Sequence, residues 1–95
     1  MQVRLGREAI ADISEIGLYI ARDNLERAIT FTQALRLRCR ELGEFPFSAP
    51  LRPDFGPDIR TAPYRGYLLV YVVRADRVEI IRVIHGARDL SNLFD

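Results

Sequence analysis

Four polar residues near the end of the chain have side chains that can bind anions or move protons. They are Arg82, within an apolar stretch, and His85, Arg88 and Asp89, which follow it. Arginine forms paired hydrogen bonds with carboxylates and phosphates, and histidine can exchange a proton near neutral pH. We therefore take these residues as the candidate target-binding site, for contact with a partner's carboxylate or phosphate or for acid–base chemistry.

Each of these residues also has a simpler interpretation. Arg82 can pair with Glu79 or Asp89, since a charge within a strand is costly unless it is paired or exposed. His85 can hydrogen-bond its own turn, and an acid–base role would need a second group within hydrogen-bonding reach, which the sequence does not show. Arg88 and Asp89 can neutralise each other at the surface. Both interpretations stay open at this point.

Two predicted strands carry these residues to one end of a sheet. Within the stretch from Gly66 to Asp89, two runs of β-branched and aromatic residues flank a charged turn, which predicts a β-hairpin in the middle of a small sheet. If Ala75 and Asp76 form a two-residue loop, Arg74 pairs with Arg77. The further facing pairs are then Tyr71 with Ile80, Val70 with Ile81, and Leu68 with Val83.

This register predicts which hairpin residues face the helices. The helix-facing set would be Leu68, Val70, Ile81 and Val83. The opposite, helix-free face would carry Tyr67, Leu69, Tyr71, Ile80, Arg82 and Ile84. A slip of one residue would invert both sets, because successive side chains on a strand point to opposite faces.

The first half of the chain predicts a short strand and two helices. Val3 and Leu5 alternate with polar residues and precede Gly6, which is typical of a strand. Apolar residues then recur at three- and four-residue spacing, which predicts two amphipathic helices. The first stripe is Ala9, Ile10, Ile13, Ile16 or Gly17, and Ile20, opposite a polar side with Arg7, Glu8, Asp12 and Glu15. The second stripe is Leu25, Ala28, Ile29, Thr32, Leu35, Cys39 and Leu42.

The complete pattern predicts one α+β domain over residues 1–95. A strand that begins at Ile59 contains Pro63, which restricts it to an edge or bulged position. The predicted order is β-α-α-β-β-β: an N-terminal strand, an α-helical hairpin, and a three-stranded antiparallel meander. The helical hairpin would cover one face of a four-stranded sheet.

Composition limits the function classes. The 95 residues carry 14 basic residues, all arginine, against 13 acidic ones, so direct nucleic-acid binding by the chain alone is expected to be weak or absent. The single Cys39 excludes an internal disulfide and a cysteine-rich metal site, and its helical spacing predicts a buried small hydrophobe. We expect no metal or cofactor, because no metal-binding or nucleotide-binding motif occurs. We expect a cytoplasmic protein without a membrane span, because the sequence shows neither a signal peptide nor an apolar run of that length.

The order of elements and two sequence segments resemble the RelE/ParE superfamily of bacterial type II toxins, most closely the ParE branch. The segments are residues 67–71, Tyr-Leu-Leu-Val-Tyr, and residues 83–89, Val-Ile-His-Gly-Ala-Arg-Asp, and the resemblance covers nearly the whole chain. It implies a toxin that is neutralised by a small dimeric antitoxin of the ParD kind, in an oligomer with it. For the ParE branch it also implies a non-enzymatic inhibitor that binds DNA gyrase and traps cleaved DNA.

The resemblance leaves a second mechanism open, a ribosome-dependent mRNA endonuclease of the RelE kind. On that pattern Leu68 stands where a nuclease tends to carry arginine, and Phe94 stands where it carries a terminal tyrosine. Arg88 does match a basic position, so Arg82, His85 and Arg88 would be the phosphate-stabilising or acid–base candidates of such an enzyme. A degenerate toxin that only binds a partner is the third possibility.

The antitoxin is expected to cover exposed apolar surface. An extended or helical segment gains contact area by lying across helix stripes or a sheet edge. We expect it to cover the helical hairpin and the outer sheet face, with Ile13, Ile20, Tyr67 and Tyr71 as the candidate antitoxin-binding residues.

Overall fold

The predicted order of elements is confirmed in a computed structural model that describes residues 1–86. The elements are β1 (Gln2–Leu5), α1 (Arg7–Ala21), α2 (Leu25–Glu41), β2 (Ile59–Tyr64), β3 (Tyr67–Val73) and β4 (Arg77–His85). The strand order in the sheet is β1-β4-β3-β2, so the β3–β4 hairpin occupies the centre, as expected. β1 runs parallel to β4 while the other pairs are antiparallel, which makes the sheet mixed.

Local chemistry accounts for the element boundaries. The side chain of Asn24 accepts a hydrogen bond of 3.0 Å from the backbone N–H of Arg27 and so caps the start of α2. Pro63 lies in β2, which is an edge strand, where a missing backbone N–H is tolerated. Within residues 1–86 no helix is long and apolar enough to cross a membrane.

The predicted hairpin register is confirmed near the turn and wrong further along. The backbone N–H of Arg74 donates to the carbonyl of Arg77 at 2.7 Å, and Tyr71 lies opposite Ile80. A β-bulge then leaves Ile81 without a partner on β3, so that Val70 lies opposite Arg82, Leu69 opposite Val83, and Leu68 opposite Ile84. The extra residue shifts the pairing of every later residue by one.

The predicted faces are wrong even where the register is confirmed, and the bulge returns only Val83 to its predicted face. The helix-facing core contains Leu69, Tyr71, Ile80 and Val83, so only Val83 of the four residues predicted there is placed correctly. Leu68 and Val70 alternate with Leu69 and Tyr71 and therefore lie on the opposite face. Placing Tyr71 on the helix-free face was wrong, since its side chain is fully buried in the core and its hydroxyl donates to the carbonyl of Pro46 at 2.9 Å.

The core lies between the helical hairpin and one face of the sheet. Its helical members are Ala9, Ile13, Ile16, Leu35 and Cys39, with Leu42 at the end of α2. Cys39 is buried as predicted, and the burial raises the pKa of its thiol to about 11. A thiol with that pKa stays protonated at neutral pH and contributes only packing.

The turn between β2 and β3 has an unusual backbone. Arg65 and Gly66 connect the paired residues Tyr64 and Tyr67, and their φ angles are +48° and +89°. Positive φ at both central residues is typical of a type I′ hairpin turn, in which asparagine, aspartate or glycine is preferred at the first position. An arginine in this left-handed conformation costs roughly 1–2 kcal/mol.

Two neighbouring leucines test the corrected faces. We expect Leu69→Ala to lower the free energy of unfolding by roughly 2–5 kcal/mol, because it leaves a cavity in the core. Leu68→Ala removes the same atoms from a half-buried position on the other face and is expected to cost about 1 kcal/mol. Urea unfolding followed by circular dichroism measures both. A larger loss for Leu68→Ala than for Leu69→Ala would contradict the placement of Leu69 on the core face of β3.

Candidate functional site

A polar cleft lies where α1 crosses the end of β4. It has a volume of about 320 Å³, and we refer to it as the α1–β4 cleft. Its described lining residues are Asp12, Glu15, Ile16, Tyr19, Tyr67, Arg82, Val83 and His85. Two of the four predicted target-binding residues, Arg82 and His85, are therefore brought together here. The other two, Arg88 and Asp89, lie outside the described residues.

A bidentate ion pair forms the inner wall of this cleft. Nε and one terminal nitrogen of Arg82 donate to the two carboxylate oxygens of Asp12, at 2.7 and 3.1 Å. The backbone N–H of Val83 donates to the same carboxylate at 2.9 Å. Asp12 is only 9% exposed, so this carboxylate is buried with three hydrogen bonds to it. Paired donors on a carboxylate are the geometry in which an arginine side chain is held most firmly.

This ion pair corrects two predictions. Asp12 was expected on the polar side of the first helix, but it faces the sheet, because Arg82 and the Val83 amide provide the donors that a buried carboxylate requires. For Arg82, the simpler of the two open interpretations was a pair with Glu79 or Asp89. Glu79 instead lies near Arg74 and Arg77, at 3.6 and 3.5 Å. Asp89 is not among the described residues.

β1 stops pairing with β4 next to the bulge. β1 pairs with β4 only as far as Leu5 opposite Ile80, and the N–H of Gly6 then donates to the carbonyl of Ile80 at 2.8 Å. A Cβ on Gly6 would lie 3.0 Å from that carbonyl oxygen, so the close approach favours glycine. Among residues 1–86 no strand pairs with β4 on this side beyond Ile80, and the Val83 amide donates to Asp12 instead.

Aromatic rings hold His85 at the mouth of the cleft. The ring of His85 makes an edge-on contact with the ring of Tyr67, with 5.4 Å between the centroids. Tyr67 in turn packs against Phe31 of α2 at 5.9 Å. Tyr67 of β3 therefore packs against α2 and β4, is half-buried, and also lines the cleft.

The described part of the cleft carries more negative than positive charge. Glu8, Asp12 and Glu15 follow one another at helical spacing on α1, and Glu8 approaches Nε of Arg82 at 4.0 Å. Asp12 and Glu15 line the cleft together with Arg82 and His85, and Glu8 lies beside it. Because Arg82 is already paired with Asp12, the cleft offers a poor environment for a phosphate chain. In residues 1–86, no group of three or more histidine, cysteine or acidic side chains comes together to hold a metal ion.

A second surface, apolar in character, lies on the outside of the helical hairpin. This helical groove has a volume of about 270 Å³ and lies between α1 and α2. Its floor is close-packed, since a Cβ on Gly17 would lie 3.1 Å from the Thr32 methyl group. Large apolar side chains in and beside it are about half exposed or more: Ile10 at 47%, Leu18 at 68%, Leu25 at 66% and Ile29 at 50%.

Three of these four residues belong to the predicted apolar stripes, Ile10 to the first and Leu25 and Ile29 to the second. Only one part of each stripe contacts the sheet, and the rest is exposed. The sequence did contain a signal for this exposed surface, because the apolar stripes are wider than one packed helix face requires. Leu18 was not singled out at all.

The four candidate antitoxin-binding residues do not form one surface. Ile13 and Tyr71 are buried in the core, at 1% and 0% exposure, although Ile13 forms part of the groove floor. Ile20 and Tyr67 are half-buried and pack against the core. In this conformation Tyr71 offers no surface to a partner, so it is omitted from the surface proposed below.

A charge-only substitution tests the Asp12 link. Asp12→Asn keeps the side-chain shape but removes the charge that pairs with Arg82, and we expect it to lower the free energy of unfolding by about 1.5–3 kcal/mol. Glu8→Gln on the same helix is the matched control and should change stability by less than about 0.5 kcal/mol, since its side chain is 76% exposed. Urea unfolding gives both values, and amide exchange of Val83 should be faster in Asp12→Asn. Equal effects of the two variants would contradict a structural role for Asp12.

Comparison with known proteins agrees with this architecture. A family model described as the ParE toxin of the type II toxin-antitoxin system, parDE, matches residues 3–90. The fold is similar to a solved structure described as the chromosomal ParDE TA system from P. aeruginosa, with a TM-score of 0.77 and 22% sequence identity over 90% of this chain and 95% of that chain. A search of the curated proteins finds no match. On the family match, this chain belongs to the ParE toxin family of type II toxin-antitoxin systems.

Proposed function

We propose that this toxin inhibits DNA gyrase by protein–protein contact that traps cleaved DNA, and that a cognate ParD-like antitoxin neutralises it. The proposal extends the family assignment, which gives the toxin class, to a target and a mechanism. Such a protein would act in the cytoplasm, where gyrase and DNA are found, and would be held there in an oligomer with its antitoxin.

The main observation in favour of a non-enzymatic toxin is that Arg82 is already paired with a carboxylate. A ribonuclease of this superfamily would need free cations to stabilise a phosphate in the transition state. Arg82 is instead engaged by Asp12 at 2.7 Å, and the carboxylates of Glu8 and Glu15 lie along the same helix face. Leu68 is a second argument against an endonuclease, because a leucine provides neither a charge nor a proton at the position where the nuclease pattern has arginine.

One observation favours the alternative, an mRNA endonuclease. Arg82, His85 and Tyr67 do converge on one cleft, and a histidine beside a tyrosine is a possible acid–base pair. The carboxylates along this cleft argue against an endonuclease, because they would repel an RNA backbone.

A supercoiling assay separates the two mechanisms. Added to purified gyrase and relaxed plasmid, the toxin should reduce supercoiling and leave linear DNA after detergent and protease treatment, because trapped double-strand breaks are then released. Messenger RNA on translating ribosomes should stay intact under the same conditions. Full supercoiling together with cleavage at ribosomal A-site codons would establish the endonuclease instead.

The target-binding residues can be tested in the same assay. We propose that Arg82, His85, Arg88 and Asp89 contact the target from the end of β4 and the segment after it. Arg88→Ala removes a charged donor but no apolar area, so it should weaken gyrase inhibition by at least roughly tenfold with an unchanged melting temperature. An Arg88→Ala protein that inhibits as well as the parent would remove this residue from the site.

The helical groove is the surface that the antitoxin is proposed to cover. Its exposed leucines and isoleucines fit the apolar face of a partner segment, and a ParDE complex as structural neighbour supports an antitoxin partner. We expect Leu18→Glu to weaken antitoxin binding at least roughly tenfold, because it places a charge in a desolvated contact. Leu37→Glu, at a position 54% exposed on α2 but outside the groove, is the matched control.

Binding of the purified antitoxin by calorimetry measures this difference. Toxicity should persist in both variants, and antitoxin co-expression should rescue cells only from Leu37→Glu. Equal antitoxin affinity of the two variants would move the antitoxin to another surface.

A further inference from the structure

A third pocket lies on the opposite side of α2 from the helical groove. It has a volume of about 190 Å³ and is enclosed by α2 and the β2–β3 turn. Its described lining residues are Arg27, Thr30, Phe31, Ala34, Tyr64 and Arg65. None of these residues lines the α1–β4 cleft or the helical groove, so neither proposed interaction makes use of the pocket.

The charges around this pocket are all positive. Arg27 and Arg65 are its charged lining residues, and no described acidic residue lines it. Within residues 1–86 neither arginine forms an ion pair, whereas Arg82 and Arg52 each hold a carboxylate at less than 3 Å. Two guanidinium groups beside one cavity are suited to a planar oxyanion, to which each can present paired N–H donors.

The backbone at Arg65 is a second, independent indication. Its φ of +48° is the conformation in which asparagine or glycine is favoured, and the residue is exposed, so neither local backbone preference nor core packing requires an arginine there. A side chain that is kept in an unfavourable backbone conformation points to a role for that side chain. The turn places the Arg65 guanidinium 5.7 Å from the Tyr64 ring centroid, at the wall of the pocket.

The aromatic walls distinguish between two kinds of oxyanion. Phe31 is tilted against Tyr64 at 6.2 Å and against Tyr67 at 5.9 Å, while Arg65 lies over the Tyr64 ring. These rings pack on one another and do not form an open platform on which nucleic-acid bases could stack. A net charge of +1 for the chain also disfavours a long phosphate backbone.

We propose that this pocket binds the carboxylate of an acidic side chain in a segment of a partner protein, with Arg27 and Arg65 as the donors. The apolar walls from Phe31, Ala34 and Tyr64 would contact the methylene groups of that side chain and its apolar neighbours. The inference does not depend on gyrase being the target, because it concerns a surface apart from the α1–β4 cleft.

A peptide titration tests this proposal. The probe is the blocked tripeptide acetyl-Leu-Glu-Leu-amide, and the same peptide with glutamine in place of glutamate isolates the contribution of the carboxylate. The Nε–H resonances of Arg27 and Arg65 in the full-length protein should shift saturably with the glutamate peptide. The glutamine peptide should bind at least roughly tenfold more weakly, because the charge-assisted hydrogen bonds are lost.

Three variants complete the experiment. Arg65→Asn should lose peptide binding while its melting temperature stays equal or rises, since asparagine suits the turn. Arg27→Gln should also lose binding, and Arg40→Gln, an exposed arginine about 20 Å further along α2, should retain it.

Three results would overturn the proposal. The first is equal affinity for the two peptides, and the second is unchanged binding in Arg27→Gln and Arg65→Asn. The third is tighter binding of a short thymidine oligonucleotide at the same two resonances, which would assign the pocket to nucleic acid.

Discussion

The carboxylate of Asp12 is the interaction on which the functional end of this fold depends. It lies in the middle of α1 and accepts three hydrogen bonds from two consecutive residues of β4, Arg82 and Val83. These bonds connect residues 70 and 71 positions apart in the chain and join the helical layer to the sheet just after the β-bulge. Without them a buried carboxylate and an arginine within the strand would both be unfavourable. With them, the end of β4 has one defined position against α1.

The helical hairpin has two apolar faces with different roles. One face forms the core with Leu69, Tyr71 and Ile80 of the sheet, and the other remains at the surface around Leu18 and Leu25. A small chain has few residues to spare for exposed apolar surface, and such surface on a soluble domain is typical of an interface. The side of the two helices that packs on the sheet thus provides stability, and the opposite side stays exposed at the surface.

The nearly neutral total charge conceals separate charged regions. Carboxylates of α1 line the α1–β4 cleft, whereas the charged residues that line the pocket beside α2 are Arg27 and Arg65, with no acidic residue in its described lining. The local sign of the field at each site therefore differs from what the net charge of +1 indicates. Local fields of this kind select partners and orient them as they approach.

The sequence by itself determined the element order, the central position of the hairpin, the edge strand with Pro63 and the burial of Cys39. These features follow from periodicity, turn chemistry and composition, which act over short stretches of chain. It also located Arg82 and His85 at one end of the sheet. Only the tertiary structure decided the bulge at Ile81, the face of Tyr71 and the pairing of Arg82 with Asp12. Those depend on how the strands pair and on which helix side chain lies above β4, and contacts between residues so distant in the chain leave no local pattern to interpret.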